Sequence, residues 1–140
     1  MQSLGKLEFE ERMNKLKNNS TRKRIIYPIA ASVLLFICFL LCRYCFFNLH
    51  GMKDWPVVLF TFGLIVIIVS ALFNSRKVMI CTPIGYIMGF VLGMLFNTDS
   101  LDPGGGILNN AWIIWTTSFL MLIIIGVVLE VVTKRIKKKK

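Results

Sequence analysis

The chain has 140 residues, 56% of them hydrophobic and only 17% charged, and a mean hydropathy of +0.68. Its 17 Lys and Arg against 7 Asp and Glu give a net charge of +10. The apolar residues fall in long blocks instead of the periodic spacing of a water-soluble core, which excludes an ordinary soluble domain and leaves a membrane protein with basic flanks.

The first element precedes the membrane. In "KLEFEERMNKLKNN", Phe9, Met13 and Leu16 recur at i, i+4 and i+7, and Glu8–Arg12 and Glu11–Lys15 form i,i+4 acid-to-base pairs. This predicts a short amphipathic helix on the inner leaflet or on a partner, ended by Asn18, Asn19 and Ser20. Asn18 and Asn19 match glycosylation sequons, which carry no meaning on the cytoplasmic side.

Residues 25–47 form the first apolar block, with Arg43 as its single charge near the far end. The block is longer than a secretory h-region and no small-residue cleavage site follows, so it is expected to be a retained span. Phe39–Leu40–Leu41–Cys42 has the outline of a lipoprotein box, but a large leucine before the cysteine and a long N-terminal tail oppose that reading. Cys38, Cys42 and Cys45 lie on one helical face, and Cys42-Arg43-Tyr44-Cys45 is a C-x-x-C. In an oxidising compartment such a pair can cycle between dithiol and disulfide, with Arg43 favouring the thiolate. Apolar cysteines packed in a helix are the simpler account. The loop that follows, 48–55, holds His50 with Asp54 at i+4, too few ligands for a metal site.

Blocks 56–73, 78–96 and 111–132 complete a set of four, each able to cross a hydrocarbon core of ~30 Å at ~1.5 Å per residue. Backbone polar groups in lipid must be satisfied within the segment, so each block is expected to be a helix. The predicted fold class is all-α: a polytopic membrane protein of four transmembrane helices with an N-terminal amphipathic interfacial helix. Residues 1–24 form a cytoplasmic segment, 25–133 the membrane domain and 134–140 a polybasic tail.

In the third block Gly85, Gly89 and Gly93 recur every four residues and form a smooth helix-packing stripe. It could face span two, Gly126 on span four, a second copy or another protein. Pro83, near the start of this block, is expected in a first helical turn. Between the third and fourth blocks, residues 97–110 contain Asp99, Asp102, a Pro103-Gly104-Gly105-Gly106 run and three asparagines, but no Lys or Arg. This segment predicts turns. Its oxygens also suit a hard cation, although it does not match a calcium-loop pattern.

In the fourth block Glu130 is the only acid within a span, about one turn from the end, with Lys134 at i+4. It reads either as a paired interfacial glutamate or as a transport residue. The tail "TKRIKKKK", with Lys137, Lys138, Lys139 and Lys140, reads first as an anionic-lipid contact worth ~1 kcal/mol per charge. Nucleic-acid binding and a terminal dilysine retrieval signal are the other readings.

The basic residues fix the expected orientation. Fifteen of the 17 lie before span one, between spans two and three or after span four; Arg43 and Lys53 are the exceptions. Basic short loops stay cytoplasmic, so both termini and residues 74–77 are expected inside, and loops 48–55 and 97–110 outside. Loop 97–110 lacks cations because it is translocated. Trp55, Trp112 and Trp115 are expected to form an interfacial belt at the outer end.

With this topology the C-x-x-C at 42–45 resembles the quinone-linked membrane thiol oxidases, which have four spans, both termini inside and a C-x-x-C just after the first span. The resemblance implies a thiol oxidoreductase using Cys42 and Cys45. It covers topology and four residues. Those enzymes carry a second cysteine pair in their second outer loop; here that loop has none, and Cys81 is predicted at the opposite face.

No soluble catalytic constellation and no phosphate-binding glycine motif is present, and the sequence calls for no cofactor or metal. The favoured expectation is a small, non-enzymatic membrane protein acting by helix–helix association, an accessory, regulatory or immunity-type subunit in a bacterial-type plasma membrane. Its partners would be the bilayer with its anionic lipids and either further copies or a larger membrane protein, with no nucleic acid. The alternatives are a homo-oligomeric transporter or channel using Glu130, Asp99 or Asp102, and the thiol oxidoreductase.

Overall fold

With no water in the hydrocarbon to receive backbone N–H and C=O groups, an apolar block must close its own hydrogen bonds, and each block does so as a helix. The computed structural model describes residues 2–46, 54–101 and 107–139, with side chains for 10–15, 22, 24–46, 54–98 and 109–139. Helix α1 (Gln2–Leu40) passes directly into one π-helical turn (Leu41–Cys45). Helix α2 is Trp55–Leu72, α3 is Arg76–Leu95 and α4 is Ala111–Lys139. Four segments are long and apolar enough to span a bilayer: Arg24–Cys45, Trp55–Leu72, Arg76–Leu95 and Ala111–Lys139. The chain is an all-α polytopic membrane protein.

Two helix boundaries differ from the sequence reading. Asn18, Asn19 and Ser20 do not end a separate helix, because α1 continues through them. Asn and Ser are merely mediocre helix formers, and no Gly or Pro stands nearby to terminate the turn. Roughly 22 residues of helix therefore extend beyond the first span, on the order of 33 Å. Of the apolar stripe there, Met13 is 52% exposed; the side chains of Phe9 and Leu16 lie outside the described set. Helix α3 begins at Arg76, so Pro83 falls inside it and not in the first turn. Pro56 does occupy a first-turn position, in α2.

Helix α3 is the centre of the bundle. It packs most extensively on α4 and also meets α1 and α2, and half of its span is buried against 17% for α4. The core brings together Leu35 of α1, Ile67 of α2, Tyr86 and Phe90 of α3, and Trp115 and Phe119 of α4. Trp115 is fully buried, so it belongs to this core and not to an interfacial belt. Its ring meets Tyr86 and Phe90 edge-on at 5.2 and 5.1 Å between centroids. Trp55 and Trp112 pair at 5.1 Å near the end of the bundle.

Between α3 and α4 the chain forms a small antiparallel hairpin, β1 (Asp99–Leu101) on β2 (Ile107–Asn109), with Ser100 opposite Leu108. The Asn110 side chain latches it: Oδ1 accepts the Thr98 N–H and Nδ2 donates to Thr98 Oγ1, each at 2.9 Å. Asn109 Oδ1 accepts the N–H of Ala111 at 2.7 Å, an Asx turn that satisfies the first N–H of α4. The hairpin end of the bundle is thus opposite the 74–77 turn, which lies with the basic ends of α1 and α4.

Candidate functional site

Glu130 sits near the basic end of α4, its side chain 13% exposed. The N-terminus of α3 packs across from it. Ser75, the residue preceding that helix, makes no side-chain cap, and the first-turn N–H groups of a helix need acceptors. Glu130 supplies one from another helix: its Oε2 accepts the Lys77 N–H at 3.1 Å. A carboxylate there also faces the positive end of the α3 dipole.

Lys134, one turn further along α4, completes the arrangement. Its Nζ lies 3.4 Å from Glu130 Oε1 and donates to the Phe73 carbonyl at 3.1 Å and to Ser75 Oγ at 3.4 Å. Phe73 is the residue at which α2 ends, where a cation complements the negative end of the helix. One i,i+4 pair on α4 therefore holds the end of α2 and the start of α3 together. Lys77 adds a third strap, its Nζ donating to Thr133 Oγ1 at 2.7 Å. The enclosed turn is tight: Asn74 adopts φ 50°, a left-handed conformation that asparagine tolerates, and the Ser75 N–H returns to the Ser70 carbonyl at 2.8 Å.

The second polar constellation lies in the core. Tyr86 donates its hydroxyl to the Pro56 carbonyl at 3.0 Å, and Trp115 donates its indole N–H to the Tyr86 carbonyl at 2.8 Å. Nearer the hairpin end, Trp55 donates its indole N–H to Thr116 Oγ1 at 3.0 Å. These bonds tie α2, α3 and α4 in a region where an unmade hydrogen bond has no water to fall back on.

The stripe Gly85, Gly89 and Gly93 faces α4. A Cβ on Gly89 would meet the Trp115 carbonyl oxygen at 2.7 Å, one on Gly93 the Ala111 carbonyl oxygen at 3.0 Å, and one on Gly85 the Leu122 Cβ at 3.1 Å. Gly126 reciprocates from α4, where a Cβ would lie 3.0 Å from Cys81 Cβ. Close helix approach of this kind is dispersion-driven, because lipid offers no hydrophobic drive between helices.

The remaining sequence candidates are dispersed. Cys42 is fully buried in the π turn and Cys45 is exposed, and no disulfide joins the four cysteines. Arg43 between them is half-buried with Nη1 lacking a hydrogen-bond partner among the described residues. Asp99 lies in β1, its side chain outside the described set, and Asp102 and His50 lie wholly outside it. Lys137, Lys138 and Lys139 extend α4 as an exposed basic last turn, and Lys140 lies outside the described residues. Among the described residues, no group of three or more His, Cys, Asp or Glu is placed to hold a metal.

Sequence reasoning picked out Glu130 and Lys134 but not what they hold, because the turn at 74–77 is remote in sequence. Tyr86, Trp115 and the Trp55–Thr116 pair were missed as polar partners; a hydroxyl or indole amid an apolar span was the available signal. Compared with family models, curated proteins and solved structures, the chain matches none.

Proposed function

We propose that the chain is a small, non-enzymatic integral membrane protein that acts by helix–helix association, as an accessory or regulatory subunit of a membrane complex or as an immunity-type protein. The observation that carries this reading is the uneven burial of the spans. Helix α4 packs chiefly on α3, and leaves Met121, Ile124, Ile125, Val128 and Val132 uncovered, each at least 45% exposed. The glycine stripe is engaged within the chain, and we assign the partner surface to this face of α4, the least buried of the four spans. Glu130 supports the same reading, since both of its oxygens are engaged in the clamp.

Both termini are assigned to the cytoplasm of a bacterial-type plasma membrane, from the distribution of basic residues. Lys137 to Lys140 are assigned to anionic headgroups at that surface.

A photo-reactive residue at Ile124 or Val128, combined with native mass determination in lipid nanodiscs, tests the proposal. A discrete adduct of defined mass from the α4 face, weakened by Met121→Ala/Val132→Ala on the same face, is expected. A bare monomer without adduct would remove the proposal. A mass at integral multiples of this chain would make the partner a second copy, and solute flux in vesicles would then decide for the homo-oligomeric transporter.

A further inference from the structure

Two apolar grooves open sideways along α2 at the basic end of the bundle. One, of about 480 Å³, lies between α2 and α4 and ends at Lys134, whose charge is already matched by Glu130. The other, of about 630 Å³, lies between α1 and α2. Ile25, Ile29 and Val33 wall it from α1, Ile68 and Leu72 wall it from α2, and Arg24 stands at its mouth. Apart from Ser32 the walls are apolar, and along α1 the lining runs from Arg24 to Val33, roughly 14 Å of helix within the first span.

Arg24 gives that groove a chemistry the first one lacks. Its side chain is exposed and has no hydrogen-bond or ion-pair partner among the described residues. The guanidinium is permanently charged and presents a planar fork that fits a phosphodiester better than an ammonium would. The Arg24 carbonyl also lacks its usual helical donor. Pro28 lies within α1 and has no N–H to return to the carbonyl four residues back. One residue therefore offers a cation for a phosphate and an acceptor for a headgroup hydroxyl or amine, at the level where the first span begins.

We propose that the α1–α2 groove is a binding site for an anionic glycerophospholipid. One acyl chain lies between Ile25, Ile29 and Val33 on one wall and Ile68 and Leu72 on the other, and the phosphate pairs with the Arg24 guanidinium. The site is separate from the basic last turn of α4 and does not depend on the helix-association reading.

The test is native mass spectrometry of the full chain in detergent, titrated with phosphatidylglycerol and with phosphatidylcholine of identical chains. Phosphatidylglycerol is expected to be retained preferentially. Arg24→Gln should lower that preference about fivefold, the worth of one interfacial charge, and Arg24→Lys should lower it less. Ile68→Trp, at a position 61% exposed and so compatible with folding, should fill the groove and displace both lipids. Lys137→Gln/Lys138→Gln/Lys139→Gln should leave the preference in place. The proposal is overturned if Arg24→Gln leaves the preference unchanged, if only the tail variant abolishes it, or if glycerol 3-phosphate without acyl chains competes as well as the lipid.

Discussion

Trp115 stands where Gly89 leaves room: a Cβ on Gly89 would lie 2.7 Å from the Trp115 carbonyl oxygen and 2.8 Å from its Cδ1. The first of these atoms is backbone and cannot turn aside. Gly89→Ala should therefore push α3 and α4 apart, at a cost of about 1–3 kcal/mol for overpacking that exceeds the ~1 kcal/mol gained in helix propensity. Gly63→Ala is the internal control, because its Cβ would meet the flexible Leu35 Cδ2 at 2.9 Å and should be near neutral. Thermal unfolding in one detergent ranks the two; equal midpoints would contradict the packing. A larger side chain at Gly89 would likewise disturb the fold of this chain before any assembly with another.

The Tyr86–Trp115 pair makes a second expectation. Tyr86→Phe keeps the ring and removes only the bond to Pro56, so it should cost about 0.5–1.5 kcal/mol. Trp115→Phe removes the indole donor and part of a fully buried ring, and should cost more, about 2–4 kcal/mol. The Tyr86 hydroxyl and the Trp115 indole engage different carbonyls, yet the two rings touch. The double variant should therefore be non-additive by about 0.5 kcal/mol or more. Chemical unfolding in mixed micelles supplies all three numbers.

The four spans were legible because apolar length is a local property, and bilayer thickness converts it directly into helices. The glycine stripe was legible as a packing surface but its partner was not. Three small residues at i, i+4 and i+8 specify close approach without naming the helix that approaches. The aromatic residues misled in one place: Trp115 stands three positions from Trp112, about 60° round α4 and roughly 4.5 Å further along it, and is fully buried against α3 while Trp112 stays 43% exposed. The clamp at Glu130 was half legible. Its i,i+4 lysine was visible, but the Lys77 N–H and the Phe73 carbonyl are backbone groups that any sequence would supply, and only the fold brings them within reach.

Removal of that clamp has a directional signature. Glu130→Ala leaves the Lys77 N–H at the start of α3 without its acceptor and Lys134 without its counter-charge, and should cost about 1–2 kcal/mol, the range for a lost helix cap. Glu130→Gln retains an amide oxygen for the N–H and should lose about half as much. Lys134→Met should add little on top of Glu130→Ala, because both remove the same bridge between α2 and α3. Differential scanning fluorimetry in detergent checks this order. A Glu130→Gln variant of undiminished stability that abolished ion or solute flux in vesicles would replace the structural role with a transport one.

The cysteines carry the last expectation, because two of them share a turn but not an environment. Cys45 is exposed at the end of the π turn, and Cys42 is fully buried three residues earlier in the same turn. A thiol must reach solvent and ionise to react, so maleimide should modify Cys45 at least tenfold faster than Cys42, which waits on local opening of the helix. A dithiol that cycles through a C-x-x-C would instead show both cysteines reacting together and a disulfide-dependent mobility shift. The same reagent reports orientation: an impermeant maleimide added to intact cells should reach a Ser100→Cys thiol in the hairpin. Modification of that thiol only after the cells are broken would place the hairpin inside, and with it reverse the assignment of every basic flank.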